Sequence, residues 1–189
     1  MILRPIPGLL AAALLAGCAT TAPTTPGRAG SAPAATPPAR SATVVLAPAS
    51  GSLVSGRLNA MPMAGGVHFI GEIGGLTRNA THAIHVHEKG DCSAADASSA
   101  GGHYNPGNAP HGRPDAGAHH EGDMPNIVAD ANGVARVNLH VNGLSLGGPA
   151  ASDIAGRAVV VHAQADDYTS QPAGNSGARV ACGVIAAQR

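Results

Sequence analysis

Tryptophan is absent from this 189-residue chain, phenylalanine occurs once (Phe69) and tyrosine twice (Tyr104 and Tyr168). So small an aromatic set excludes the stacking platforms on which single strands of nucleic acid are bound. It also leaves the core to Ala, Val, Ile and Leu, which an apolar content of 44% allows. Charge of one sign is missing too: 11 basic and 11 acidic side chains give a formal net charge of zero. Without a basic face there is no means of holding a phosphate backbone, so nucleic acid is not a partner. No segment sustains a helical period, and no apolar run is long enough to span a bilayer permanently. The chain is instead rich in turn formers, with 26 Gly and 15 Pro, and in histidine, with 10 residues. The first favours short strands and turns. The second supplies the commonest metal ligand among side chains. The length predicts one folded domain.

The N-terminus reads as a targeting segment. A single Arg4 precedes the apolar stretch from Ile6 to Ala16, and small residues follow. Leu15-Ala16-Gly17-Cys18 resembles the lipobox of bacterial lipoproteins, which implies a signal peptide over 1–17 and lipidation of Cys18. Residues 18–41 carry Pro23, Pro26, Pro33, Pro37 and Pro38 among Ala, Thr, Ser and Gly. That composition cannot bury enough surface to offset its ordering entropy, so a flexible tether is expected. As a coil its ends would stand roughly 25–30 Å apart. The expected location is the bacterial cell envelope, with the domain facing the periplasm and the membrane touched only by the N-terminal lipid.

From 42 to 189 the pattern is β. Val67, Phe69 and Ile73 alternate with His68 and Glu72, and Val137, Leu139 and Val141 alternate with Arg136, Asn138 and His140. Period-2 alternation marks strands with one buried face. Asn132-Gly133 and Asn142-Gly143 are turn signals. The stretches 90–126 and 164–178 are rich in Gly, Pro, Asp, Asn and His. Loops of that length in a small β domain are usually functional. With Cys18 taken by lipid, Cys92 and Cys182 remain as an even pair in an exported protein, and a disulfide is expected.

The histidines fall into two groups. His85 and His87 are two apart on a strand, so both imidazoles share one face. His162 interrupts the apolar run Val159-Val160-Val161, where a lone histidine is more often a hydrogen-bonded core residue than a ligand. The first long loop adds His103, His111, His119, His120 and Asp123. Three nitrogens and a carboxylate oxygen suffice for tetrahedral zinc.

In this order and spacing the residues become recognisable. His85-Val86-His87-Glu88, Gly101-Gly102-His103-Tyr104-Asn105-Pro106, His111-Gly112, His120-Glu121-Gly122-Asp123, Val160-Val161-His162-Ala163-Gln164-Ala165-Asp166-Asp167 and Gly174-Asn175-Ser176-Gly177-Ala178-Arg179 together resemble the copper,zinc superoxide dismutases. Gly90-Asp91-Cys92 and the long insertion before His103 resemble the bacterial branch. The resemblance implies an all-β domain, a flattened eight-stranded Greek-key β-barrel of immunoglobulin-like sandwich type with two long functional loops. It implies one copper per subunit on His85, His87, His103 and His162, and one zinc on His103, His111, His120 and Asp123. Tetragonal nitrogen suits Cu(II), and a mixed nitrogen and oxygen tetrahedron suits zinc. It implies that His103 bridges the metals and transfers a proton, that Asp166 links His85 to His111, and that Arg179 docks the superoxide anion. A homodimer is compatible with the resemblance.

Two features depart from that pattern. Tyr168 to Ala178 holds no charged residue, so substrate steering would fall to Arg179 with Lys89 or Arg113. His68, His82, His119 and His140 lie outside the motifs, and His68, His82 and His140 are expected to face solvent. The rival class is a lipoprotein that stores or delivers copper or zinc without turnover.

Overall fold

The computed structural model describes residues 41–188. The signal peptide, Cys18 and the tether lie outside the described residues. Nine strands form: β1 (Ser41–Pro48), β2 (Ser55–Met63), β3 (Gly66–Gly74), β4 (Thr81–His82), β5 (Ile84–His87), β6 (Ile127–Val128), β7 (Ala135–Asn142), β8 (Ala158–His162) and β9 (Arg179–Gln188). Among the described residues helix is limited to one 3-10 turn, Ser98–Ala100.

Seven strands share one antiparallel sheet in the order β5-β8-β9-β1-β2-β3-β7. The short strands β4 and β6 pair with each other, and β6 packs beside β7. Only Ala83 separates β4 from β5, so the two are one strand that changes partner, from β6 to β8. Counted so, the barrel has the eight strands expected, curled until β6 bridges its two edges.

The alternation is realised as expected. Val67, Phe69 and Ile73 are fully buried, while His68 and His140 point outward from paired strands. With one phenylalanine available, Phe69 is the largest fully buried side chain of a core that also holds Tyr104 and is otherwise built from residues such as Val44, Leu58, Ile84, Val86, Met124, Ile154, Val161 and Ile185. One expectation fails. His82 is not solvent-facing: it is 2% exposed, and its Nδ1 donates to the His162 carbonyl at 2.9 Å. The physical reason is strand parity. His82 shares the side of Ile84 and Val86, which face the core.

The two long connections, 88–126 and 163–178, leave β5 and β8 at opposite ends of this antiparallel pair and fold back over its outer face. Because β5 and β8 are hydrogen-bonded neighbours, with His85 opposite Val160 and Ile84 opposite Val161, both loops close over the strand histidines. The Cys92–Cys182 disulfide forms as expected, with a Cα separation of 5.7 Å, and ties the first loop to β9.

Candidate metal centre

The sheet sets the first part of the site. His85 and His87 on β5 and His162 on β8 come from adjacent strands and aim to one side, where the first loop lays His103 beside them. His85, His87, His103 and His162 each place one ring nitrogen within 4.8 Å of the others, and all are buried. The nitrogens that face inward are His85 Nδ1, His87 Nε2, His103 Nε2 and His162 Nε2, and none has a hydrogen-bond partner. Buried, unpaired polar atoms are costly and therefore rare. Four of them converging on one point is the pattern left by a cation that supplies what hydrogen bonding does not.

The far side of each ring is fixed. His85 Nε2 donates to Asp166 Oδ2 at 2.8 Å, His87 Nδ1 to the Gly101 carbonyl at 3.0 Å, and His162 Nδ1 lies 3.2 Å from Ser176 Oγ. A proton held on that side leaves a lone pair directed into the cluster, as outer-shell partners do in metal sites. Burial, assisted by the neighbouring rings, pushes the His87 imidazole down to about 2 and that of His162 to about 3. Burial also lowers His103, to about 4, although its hydrogen bond with Asp123 pulls the other way. All three therefore stay neutral across the physiological range and keep a free lone pair.

The second cluster is built by the first loop alone. His103, His111, His120 and Asp123 converge, all buried. Asp123 Oδ1 lies 2.8 Å from His103 Nδ1, 3.0 Å from His111 Nδ1 and 3.3 Å from His120 Nδ1, and the His120 and His103 Nδ1 atoms are 3.3 Å apart. Ligands at 2.0–2.1 Å around a tetrahedral ion stand about 3.3 Å from each other. The cluster has that size. His111 Nδ1 has no hydrogen-bond partner despite its short distance to Asp123, so hydrogen bonding does not account for the approach. The other Asp123 oxygen accepts from the backbone N–H groups of Gly112 at 3.1 Å and His120 at 2.9 Å, which turns Oδ1 to the cluster. Burial opposes ionisation of this carboxyl, yet the hydrogen bonds from His103, His120 and Gly112 hold it well below the usual carboxylate range.

Two groups join the clusters. His103 gives Nε2 to the first and Nδ1 to the second. Asp166 spans them from behind, taking His85 Nε2 on Oδ2 and His111 Nε2 on Oδ1 at 2.9 Å. Asp166 is itself held by the Tyr168 backbone N–H at 2.7 Å.

A mouth of about 600 Å³ opens onto His87, His103, His120 and His162 and is lined by Glu88, Gln171, Asn175 and Arg179. Arg179 leaves β9 at its first residue, and its guanidinium donates to the carbonyls of Ala97 and Gly101, each at 2.7 Å. Gly101 thus holds both His87 and Arg179 through one oxygen. Two of the five guanidinium donors are used, and others remain for an anion in the mouth. Lys89 and Arg113 do not line this mouth. Arg113 pairs with Asp115 at 2.9 Å and lies 4.9 Å from the Tyr168 ring centroid.

Two contributors had no individual role assigned from the sequence. Gln171 accepts from the His111 N–H and donates to the His111 carbonyl, both at 2.8 Å, clamping that residue from the second loop. Gly174 has φ +65°, and a Cβ there would collide with the Asp166 carboxylate and stand 2.7 Å from His111 Nε2. Gly174→Ala should therefore cost about 1–3 kcal/mol of stability through its backbone conformation. It should also weaken retention of both metals, because it displaces the carboxylate that spans them. Metal content after dialysis against a mild chelator checks this, and retention equal to wild type would remove the assigned role of Asp166.

His119 and His120 can be told apart. His120 is buried in the second cluster, whereas His119 Nδ1 donates to the His120 carbonyl at 2.6 Å and belongs to neither cluster. His120→Ala should lose zinc while His119→Ala keeps it, as metal analysis of the purified variants will show; equal losses would contradict the assignment.

An imidazole-rich pocket sharing one ring with a tetrahedral nitrogen and oxygen pocket, on a Greek-key barrel, defines a two-metal centre of the copper and zinc class. Residues 54–185 match the family described as "Copper/zinc superoxide dismutase (SODC)", and the chain belongs to that family. Relatives include "Superoxide dismutase [Cu-Zn]" of Caulobacter vibrioides, 46% identical over 119 residues, which are 60% of this chain and 68% of that one. The protein of the same name from Deinococcus radiodurans is 39% identical over 147 residues, 71% and 78% of the two chains. Among solved structures, a SOD-like protein from Bacillus subtilis aligns with TM-score 0.69 at 34% identity, over 76% of this chain and 97% of that one. The clock protein EA4 aligns with TM-score 0.70 at 40% identity, over 79% and 95%.

Proposed function

We propose that this chain disproportionates superoxide, two anions and two protons giving dioxygen and hydrogen peroxide. Copper would be held by His85, His87, His103 and His162, and zinc by His103, His111, His120 and Asp123. The observation that carries this reading is His103, one ring whose two nitrogens enter two different clusters. Copper, when bound, supplies the one-electron chemistry that zinc lacks.

The remaining work belongs to the chain. The Arg179 guanidinium, held by two carbonyls, presents fixed positive charge where an anion entering the mouth meets His87 and His162. His103 Nε2, which faces the four-histidine cluster, is the atom at which a proton is held and delivered, while Nδ1 stays engaged beside Asp123. Asp166 fixes the tautomers of His85 and His111, so that neither ring turns a proton toward the metal. Barrel strands and the disulfide-tied loop keep these groups in place before substrate arrives.

Superoxide decay monitored with copper- and zinc-loaded, zinc-only and metal-free protein tests the reading. Only the loaded form should accelerate decay, and cyanide should abolish it. A fully loaded protein that leaves the decay unchanged would instead mark a chain that stores or delivers metal.

The domain would be anchored in the bacterial envelope through a lipidated Cys18 and would face the periplasm at the end of the 18–41 tether, as a monomer or homodimer. The lipobox-like Leu15-Ala16-Gly17-Cys18 supports the anchor. The intact mass of the mature protein checks it; an unmodified N-terminus at another residue would refute it.

A further inference from the structure

The outer face of β2, β3 and β7 carries a second gathering of metal-binding side chains, remote from the centre described above. The register places Met61 opposite His68 and His68 opposite His140, so the three side chains form one row across three strands. Met63 follows Met61 on the same face, and both methionines are exposed, at 38% and 54%. Exposed thioethers and imidazoles in one row have no role in packing the core.

The pair geometry suits chelation. The Gly143 N–H donates to the Gly65 carbonyl at 2.8 Å, and from Gly66 opposite Asn142 the register runs unbroken to Ile73 opposite Ala135. Alternation along an antiparallel ladder then makes His68 and His140 a non-hydrogen-bonded pair, the kind whose side chains stand closer. Their rings are stacked at 30° with centroids 6.3 Å apart. Two imidazoles bound to one ion at 2.0–2.1 Å have centroids about 4.5–6.4 Å apart, depending on the angle at the metal. The observed spacing would need an almost linear angle at the metal, so the stacked rings reach one ion by rotating about their side-chain bonds. Among the described residues neither ring has a hydrogen-bond partner. The nearest carboxylate on this face, Glu72, stands two rows away and pairs with Arg136 at 3.2 Å.

We propose that this row binds an additional copper ion, through His68 and His140 as Cu(II) and with the Met61 thioether added as Cu(I). Imidazole pairs favour copper over zinc and nickel, and thioether sulfur selects the reduced ion. A row without carboxylate offers nothing to calcium or magnesium.

The test begins from protein already carrying one copper and one zinc per chain and titrates it with Cu(II) at neutral pH. Wild type should take up one further equivalent that broadens the His68 and His140 imidazole resonances. His68→Ala and His140→Ala should each weaken that uptake at least tenfold, and the double variant should be no weaker than either. Met61→Leu should leave Cu(II) uptake unchanged and weaken Cu(I) at least tenfold in a competition titration. The absence of a further equivalent in wild type, or undiminished uptake in the double histidine variant, would overturn the site. Unchanged Cu(I) affinity in Met61→Leu would overturn the thioether's part. None of these side chains touches the copper and zinc clusters, so dismutase activity serves as the control for folding.

Discussion

Replacing Cys92 and Cys182 together by serine is expected to destabilise the domain by about 4–5 kcal/mol, an upper value from the chain entropy released when a loop of this length is no longer closed. The sequence separation bridged is 90 residues, nearly the whole span from the first loop to the last strand. The effect should also reach the chemistry. Cys92 opens the segment that carries Ala97 and Gly101, whose carbonyls hold Arg179, and Gly101 also holds His87. Without the bridge, three hydrogen bonds alone fix that segment to Arg179 and His87. Denaturant unfolding of the metal-loaded protein should therefore show a midpoint shift accompanied by a lower dismutase rate under native conditions. A stability loss below about 1 kcal/mol would mean that the metals, and not the disulfide, hold the loop.

The second large effect belongs to Arg179. It has no lone-pair donor and cannot ligate metal, so Arg179→Ala should leave one copper and one zinc per chain. Losing a charge-assisted contact to an anion costs about 1.5–3 kcal/mol, which is roughly 10- to 150-fold in rate. Little can compensate. Tyr168 to Ala178 is uncharged, Arg113 is paired with Asp115, and the other charged residue lining the mouth is Glu88, which repels an anion. The rate of wild type should fall with added salt, and that dependence should flatten in Arg179→Ala. Arg179→Lys should recover part of the rate through charge alone, lacking the planar fork that reaches both carbonyls. Full rate in the alanine variant at full metal loading would show that the guanidinium serves the loop and not the substrate.

Part of this site was legible from strand geometry, and part only through the family resemblance. His85 and His87 share a face by strand parity, whereas the choice of His103, His111, His120 and Asp123 for the second cluster, with His119 left out, came from the resemblance. The same parity, extended back to His82, would have placed it inward with Ile84 and Val86, but His82 reads as lying just before the strand. What the sequence could not reveal are contacts made by backbone carbonyls and by loops meeting from distant positions. Gly101 serves His87 and Arg179 through an oxygen that every residue possesses. Gln171 clamps His111 across 60 positions, from a loop without charge or periodicity. The neutralisation of Arg113 by Asp115 depends on a side-chain orientation that composition does not encode.

The central claim is that one imidazole, His103, joins two chemically different metal pockets. It is tested most directly by anomalous diffraction from crystals of the copper- and zinc-loaded protein, recorded across both absorption edges. The copper edge should give its main peak among His85, His87, His103 and His162, and the zinc edge should peak among His103, His111, His120 and Asp123. Copper and zinc exchanged between the pockets, or His103 in contact with one metal in every state of the protein, would contradict the account.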